Sequence, residues 1–189
     1  MIDVVPETAT RRASYADLEA LPDHLVGEII DGELVVSPRP AARHARATSR
    51  LGIALGPFDA GVGGPGGWII LDEPELHLDA DVLVPDLAGW RRERMPEIPD
   101  VAAFTLAPDW VCETLSPSTG ALDRARKLPI YARARVAHCW LVDPSLRTLE
   151  VYRREGDRWL LLATHEGDHQ VRAEPFEALP IDLSLLWAR

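Results

Sequence analysis

Three acidic residues stand where apolar strand residues would be expected. Glu113 interrupts the run WVCETL, Asp86 ends VLVPD immediately after Pro85, and Glu33 opens the second half of GEIIDGELVVSP. Moving an ionised carboxylate out of water costs several kcal/mol unless a cation or hydrogen bonds compensate. Strand alternation puts Glu113 on the same side as Val111 and Leu115 and opposite Cys112. A cation is available in Lys127, on a segment that reads as the next helix, and Asp123 one turn earlier can pair with it. Carboxylates converging with a lysine are the parts of a Mg²⁺-dependent phosphodiester hydrolase. Hard oxygen ligands suit Mg²⁺, which keeps several waters and needs only one or two protein carboxylates. The metal would acidify a bound water and stabilise charge on the phosphate oxygens. Spacing alone also allows a plainer arrangement, with Asp86 capping a strand end, Glu113 meeting an arginine and Lys127 solvated.

Several elements must position these residues. Ser14 and Asp17 have the form of a capping box, opening a short helix that ends near Leu21-Pro22. Asp31-Gly32 joins two apolar runs and supplies the positive φ of a tight hairpin turn. A helix over about 41–55 carries Arg43, Arg46 and Arg50 on one side by the spacing of three or four. GVGGPGG matches G-x-G-x-x-G at Gly61, Gly63 and Gly66, but it follows a helix and leads into the strand-like WIIL. A dinucleotide motif requires the reverse order, so this run is a turn. WIIL, ELHLD and DVLVPDLAGW read as strands, then DWVCETL, a helix over about 120–134, and the strands AHCWLVD, TLEVYRRE and RWLLLATHEGD. The strand–helix–strand run over 110–143 is a crossover. The fold class is α/β, with a central sheet bearing antiparallel hairpins at its edges.

The chain has 189 residues, 47% of them hydrophobic and 26% charged, which suits one soluble domain over 1–189. Residues 1–13 lack a signal-peptide core and read as a flexible leader. No apolar run is long enough to span a bilayer. Cys112 and Cys139 both lie in apolar strand-like runs and read as reduced core residues, as in a cytoplasmic protein. The net charge of −10 argues against a broad non-specific nucleic-acid binder. The sign is uneven, however. Residues 71–86 carry six acids and no Lys or Arg, whereas 39–50 and 124–135 are strongly basic. His165 and His169 have a zinc-like spacing but flank a turn, with no cysteine or third histidine near. The tryptophans are scattered and read as core.

VPD, WVCETLSPST and DRARKLPIYARARVAHCWLVDP together resemble the Uma-two family of restriction endonucleases, within the PD-(D/E)XK nuclease superfamily. The likeness runs from GEIIDGELVVSP and Arg43-His44 to LEVYRR and IDLSLL, nearly the whole chain. It implies a restriction-endonuclease-like fold, a mixed central sheet flanked by helices, and often a homodimer. By the same resemblance Asp86 is the motif aspartate and Glu113 the motif acid. Leu115 stands where the superfamily usually has lysine, and Lys127 from the following helix matches the family's lysine. Glu33 matches the hairpin glutamate and would be a further metal ligand, with Glu28 ranked below it; His44 would contact phosphate. Two departures stand out. Pro129, two residues past Lys127, can kink the helix that aims the amine, and Gly27 replaces a tyrosine common before the glutamate.

The resulting expectation is a Mg²⁺-dependent endonuclease acting on DNA, with Mn²⁺ a plausible substitute. Asp86, Glu113 and Glu33 would hold the metal, Lys127 would serve the attacking water or the phosphate, and Arg43, Arg46 and Arg50 would meet the DNA backbone. A nuclease-fold binding or assembly module without turnover is the alternative, and the residues do not choose between DNA and RNA.

Overall fold

Asp31 and Gly32 both adopt positive φ, 53° and 83°. They join β1 (Leu25–Ile30) to β2 (Glu33–Pro38) in an antiparallel hairpin, as the Asp-Gly pair predicts. The computed structural model describes residues 11–60 and 63–187. Most of the expected leader therefore lies outside the described residues. The backbone N–H of Ala13 donates to the Gly32 carbonyl at 2.8 Å, so the chain is already fastened to the hairpin turn there. Helix α1 (Tyr15–Glu19) opens with the Asp17 carboxylate accepting from the Ser14 N–H at 2.7 Å. It packs down on β1 where Gly27 lies: a Cβ there would meet Leu21 Cδ1 at 2.3 Å and Leu18 Cδ2 at 2.7 Å. A side chain at position 27 would therefore require both leucine tips to move aside.

Helix α2 (Ala42–Asp59) buries Ala47, Leu51, Leu55 and Phe58 along one stripe. The glycine run after it turns the chain into β3 (Trp68–Asp72), with positive φ at Gly63, Gly66 and Gly67; Gly61 lies outside the described residues. Next come β4 (Glu75–Leu78), β5 (Asp81–Leu83), β6 (Leu87–Arg91), β7 (Ala103–Phe104) and β8 (Trp110–Thr114). The run DVLVPDLAGW is therefore two strands and not one. β5 belongs to a five-stranded sheet ordered β2-β1-β5-β4-β7, whereas β6 belongs to a second, six-stranded sheet. Pro85 sits at the break, where its missing N–H ends the first ladder.

The crossover after β8 is built from α3 (Gly120–Leu122), a π-helical turn (Asp123–Lys127) and α4 (Leu128–Arg133). It returns to β9 (His138–Asp143), which lies parallel to β8. β10 (Thr148–Glu155) and β11 (Arg158–Glu166) extend that sheet antiparallel, giving the order β11-β10-β9-β8-β6-β3. A short pair, β12 (Gln170–Val171) with β13 (Ile181–Asp182), and α5 (Ser184–Trp187) follow. The architecture is mixed α/β, with mixed sheets flanked by helices.

One face of the six-stranded sheet packs with α2, through Trp110, Cys112, Trp140 and Val142. Phe176 lies at the centre of this layer, its ring 4.8, 5.0 and 5.5 Å from those of Trp68, Trp110 and Trp140. The other face packs with α4, through Val111, Leu141, Leu128, Ile130 and Tyr131. Among the described residues no helix is long and apolar enough to cross a membrane.

Candidate active site

The two sheets meet where charge is buried. Lys127 is 5% exposed, and its Nζ lies 2.9 Å from Glu28 Oε1, 3.3 Å from Glu113 Oε1 and 3.6 Å from Asp123 Oδ1. Glu28 comes from β1 in one sheet, Glu113 from β8 in the other, and Asp123 and Lys127 from the helix between β8 and β9. Tyr131, one turn beyond Lys127, donates its hydroxyl to Glu113 Oε1 at 2.5 Å. Glu28 Oε1 also accepts the backbone N–H of Val84, in the segment that passes from one sheet to the other. Asp123, Lys127 and Tyr131 therefore line one side of the helix, as residues four apart must.

Pro129 does not misdirect the lysine. A proline ring clashes with the carbonyl four residues earlier, here that of Ala125, inside the π turn. Widening that turn relieves the clash. The Leu128 N–H then reaches the Asp123 carbonyl five residues back, the bond that defines a π-helix. Leu115, at the superfamily's usual lysine place, is buried in the apolar cluster.

Three carboxylates around one ammonium leave an excess of negative charge. Burial pushes the Glu113 carboxyl well above its usual range; Lys127 opposes the shift, and Asp123, Asp86 and Glu28 add to it. Asp123 is raised mainly by burial as well. Burial pulls the Lys127 ammonium down, but Glu113, Glu28 and Asp123 outweigh it and hold the amine above its ordinary value. The amine stays charged.

Asp86 stands at the start of β6, beside the end of β8. Its Oδ2 accepts the backbone N–H of Thr114 at 2.6 Å, one residue past Glu113, and its Oδ1 accepts His44 Nε2 at 2.5 Å. The Thr48 and Thr114 hydroxyls, 2.8 Å apart, tie α2 to β8 beside this pair. An open pocket borders it, lined by His44, Thr48, Ser49, Asp72, Glu73 and Asp86 among others.

Asp86, Glu113, Lys127 and His44 are thus brought together, whereas Glu33 is not. Glu33 and Ile30 are directly paired across the hairpin. They face the same way as Glu28 but sit at the turn end, where Arg126 Nη1 takes Glu33 Oε2 at 2.7 Å. Glu28, ranked lower from sequence, occupies the position beside the lysine. Arg43 and Arg46 are exposed and Arg50 is half-buried. At about 100° per residue they fall on a different flank of α2 from His44 and Thr48, so they do not line the pocket. The basic run after β8 is largely neutralised within the molecule: Arg124 pairs with Glu150, Arg126 with Glu33 and Asp31, and Arg133 with Asp31 and Asp81. Sequence reasoning missed Tyr131, although its place four residues after Lys127 on a helix was a usable signal. Cys112 and Cys139 are buried free thiols, and burial raises both well above the range of a reactive cysteine.

A family model described as "Uma2: Putative restriction endonuclease" matches residues 13–185. The chain belongs to the Uma2 family. Among solved structures, the Uma2 chain is similar to a putative nuclease belonging to DUF820 from Anabaena variabilis ATCC 29413. The TM-score is 0.72 at 21% identity, over 90% of this chain and 94% of that one. At that identity the likeness concerns the fold. No curated protein matches.

Members of a restriction-endonuclease family generally use divalent metals, and the donors of this Uma2 chain can be tested for that fit. Among the described residues, no group of three or more His, Cys, Asp or Glu side chains could hold a metal ion. Asp86 and Glu113 nevertheless present hard carboxylate oxygens from adjoining strand ends, and one or two carboxylates plus waters suffice for Mg²⁺. The surplus negative charge around Lys127 also favours a cation. The donor chemistry fits.

Proposed function

We propose that this Uma2 chain is a Mg²⁺-dependent endonuclease hydrolysing phosphodiester bonds of DNA. We read it as one restriction-endonuclease-like domain over 1–189, acting as a cytoplasmic homodimer. The observation that carries the reading is the meeting of Asp86, Glu113 and the Lys127 amine at the junction of two sheets. Asp86 reaches the peptide next to Glu113, and Lys127 lies 3.3 Å from Glu113. Burying so many ionisable groups costs several kcal/mol that an apolar core would not, and active sites are where such costs are tolerated.

Asp86 and Glu113 would hold the metal, which when bound supplies an acidified water and Lewis-acid charge for the phosphate oxygens. Among the chain's own groups, Lys127 keeps a full positive charge, so it can orient the attacking water or neutralise the scissile phosphate. It has no proton to spare cheaply and therefore acts by charge and hydrogen bonding. His44 Nε2 orients Asp86 from the α2 side, a role different from direct phosphate contact. Arg43, Arg46 and Arg50 would meet the DNA backbone away from the chemistry, where phosphate contacts position the duplex.

Nicking of supercoiled plasmid in Mg²⁺ or Mn²⁺ tests the reading. Wild-type protein should nick, and Glu113→Ala and Asp86→Asn should lose at least about 100-fold, since each removes transition-state charge stabilisation. Full-rate cleavage by both variants would eliminate it.

One observation favours a nuclease-fold binding module without turnover. Every acid of the site already accepts a protein donor: Asp86 from His44 and Thr114, Glu113 from Lys127 and Tyr131. Calorimetry separates the two readings, because a module of that kind takes up no Mg²⁺ in a Glu113-dependent way.

A further inference from the structure

We infer that Tyr131 is a positioning residue for Glu113, fixing which oxygen of that carboxylate is left for a bound cation. The inference rests on the metal-dependent reading above and adds a residue to it.

Two donors converge on a single atom. The Tyr131 hydroxyl and the Lys127 amine both reach Glu113 Oε1, at 2.5 and 3.3 Å. The terminal torsion of a glutamate is broad, so the carboxylate has little preference of its own for which oxygen points where. Lys127 cannot impose one alone. Its amine is divided among Glu28, Glu113 and Asp123, with the shortest distance, 2.9 Å, to Glu28, and its stem is flexible. Tyr131 differs on each count. Its ring is fully buried in the apolar cluster with Val111, Ile130 and Leu141. It turns on two torsions only, and Glu113 is its one hydrogen-bond partner among the described residues.

With Oε1 claimed by two donors, Oε2 is the oxygen available to a cation. The arrangement is a hydrogen-bonded outer partner on a ligating carboxylate, and loss of such a partner typically weakens metal affinity about 10- to 100-fold.

The test uses the full chain and Mn²⁺ alone, with free Mn²⁺ read by electron paramagnetic resonance, no substrate present and folding checked by thermal unfolding in EDTA. Five proteins are compared: wild type, Tyr131→Phe, Tyr131→His, Glu113→Ala as the blank, and Ile130→Val as a packing control on the same helix. Tyr131→Phe keeps the ring and removes only the hydroxyl. It should raise the Mn²⁺ Kd about 10-fold or more, while Ile130→Val keeps the wild-type Kd. Tyr131→His returns a ring donor and should bind better than Tyr131→Phe. Equal weakening by Ile130→Val would reduce Tyr131 to packing and overturn the inference. Wild-type affinity in Tyr131→Phe, with Glu113→Ala blank, overturns it while leaving the metal reading intact. A wild type that takes up no Mn²⁺ overturns both. Should Tyr131→Phe not fold, Tyr131→His decides in its place: binding near the wild-type value supports the inference, and loss to the level of the blank overturns it.

Discussion

On one side of β8, Trp110 and Cys112 pack into a layer of indoles, Phe176 and aliphatic chains. On the other side Val111 is followed by Glu113, and the layer beneath α4 holds a lysine and three carboxylates. One strand serves both, because successive side chains point to opposite faces. The apolar face is an ordinary core whose energy comes from burial and close packing. The charged face lies just as deep but is held by a balance of opposing terms. Its carboxylates are tolerable only while Lys127 and Tyr131 compensate them.

The largest test of that contrast removes the centre of each face. Lys127→Met strands three acids and should cost about 3–5 kcal/mol, as does breaking any buried ion pair. Trp140→Ala opens a cavity and should cost a similar amount, about 3–5 kcal/mol. Urea unfolding in EDTA at two pH values distinguishes them. Lowering the pH from about 8 to 5 should restore much of the Lys127→Met loss by protonating the stranded acids, and should do nothing for Trp140→Ala. Equal pH behaviour would abolish the distinction between the two faces.

A smaller effect concerns Glu113 itself. Its folded pKa, like that of Asp123, is raised above the unfolded value. Between those two values the folded state binds more protons than the unfolded, so stability falls as pH rises above the ordinary carboxylate range. Metal-free wild type should therefore lose stability from about pH 5 upward, and Glu113→Gln should flatten that slope. At pH 8 the variant should be more stable by about 1 kcal/mol, a shift of roughly 2–4 °C in Tm. Mn²⁺ should stabilise wild type and not the variant. Calorimetric scans with and without the metal provide the measurement.

The smallest expected effect on folding is at the surface. Arg46→Ala should leave stability within about 0.5 kcal/mol and lower affinity for a DNA duplex, read by fluorescence anisotropy. Unchanged affinity would remove α2 from the docking face.

Much of this was legible because it depends on local rules. Asp31-Gly32 demanded a hairpin, alternation separated Glu113 from Cys112, and the strand–helix–strand run demanded a parallel pair. What escaped depends on where distant segments land. Pro85 divides one apolar run between two sheets, which strand propensity does not register. Glu28 and Glu33 face the same way, and only the hairpin's position against the crossover helix, with Arg126 at its turn end, separates their roles. The His44–Asp86 pair spans 42 residues and exists only because α2 packs over the sheet. Pro129 looked like a defect until the π turn beside it showed how the clash is relieved.

The ion pairs that occupy Arg124, Arg126 and Arg133 bear on how the molecule would feel ionic strength. A cation already neutralised by its own chain displaces no condensed counterions from a duplex. The two basic segments together hold nine Lys and Arg; contacts from the three α2 arginines alone would give a slope of log K against log salt of about −3, against about −8 were all nine to meet phosphate. A protein of this kind would hold nucleic acid weakly at low salt and lose rather little of that grip as salt rises.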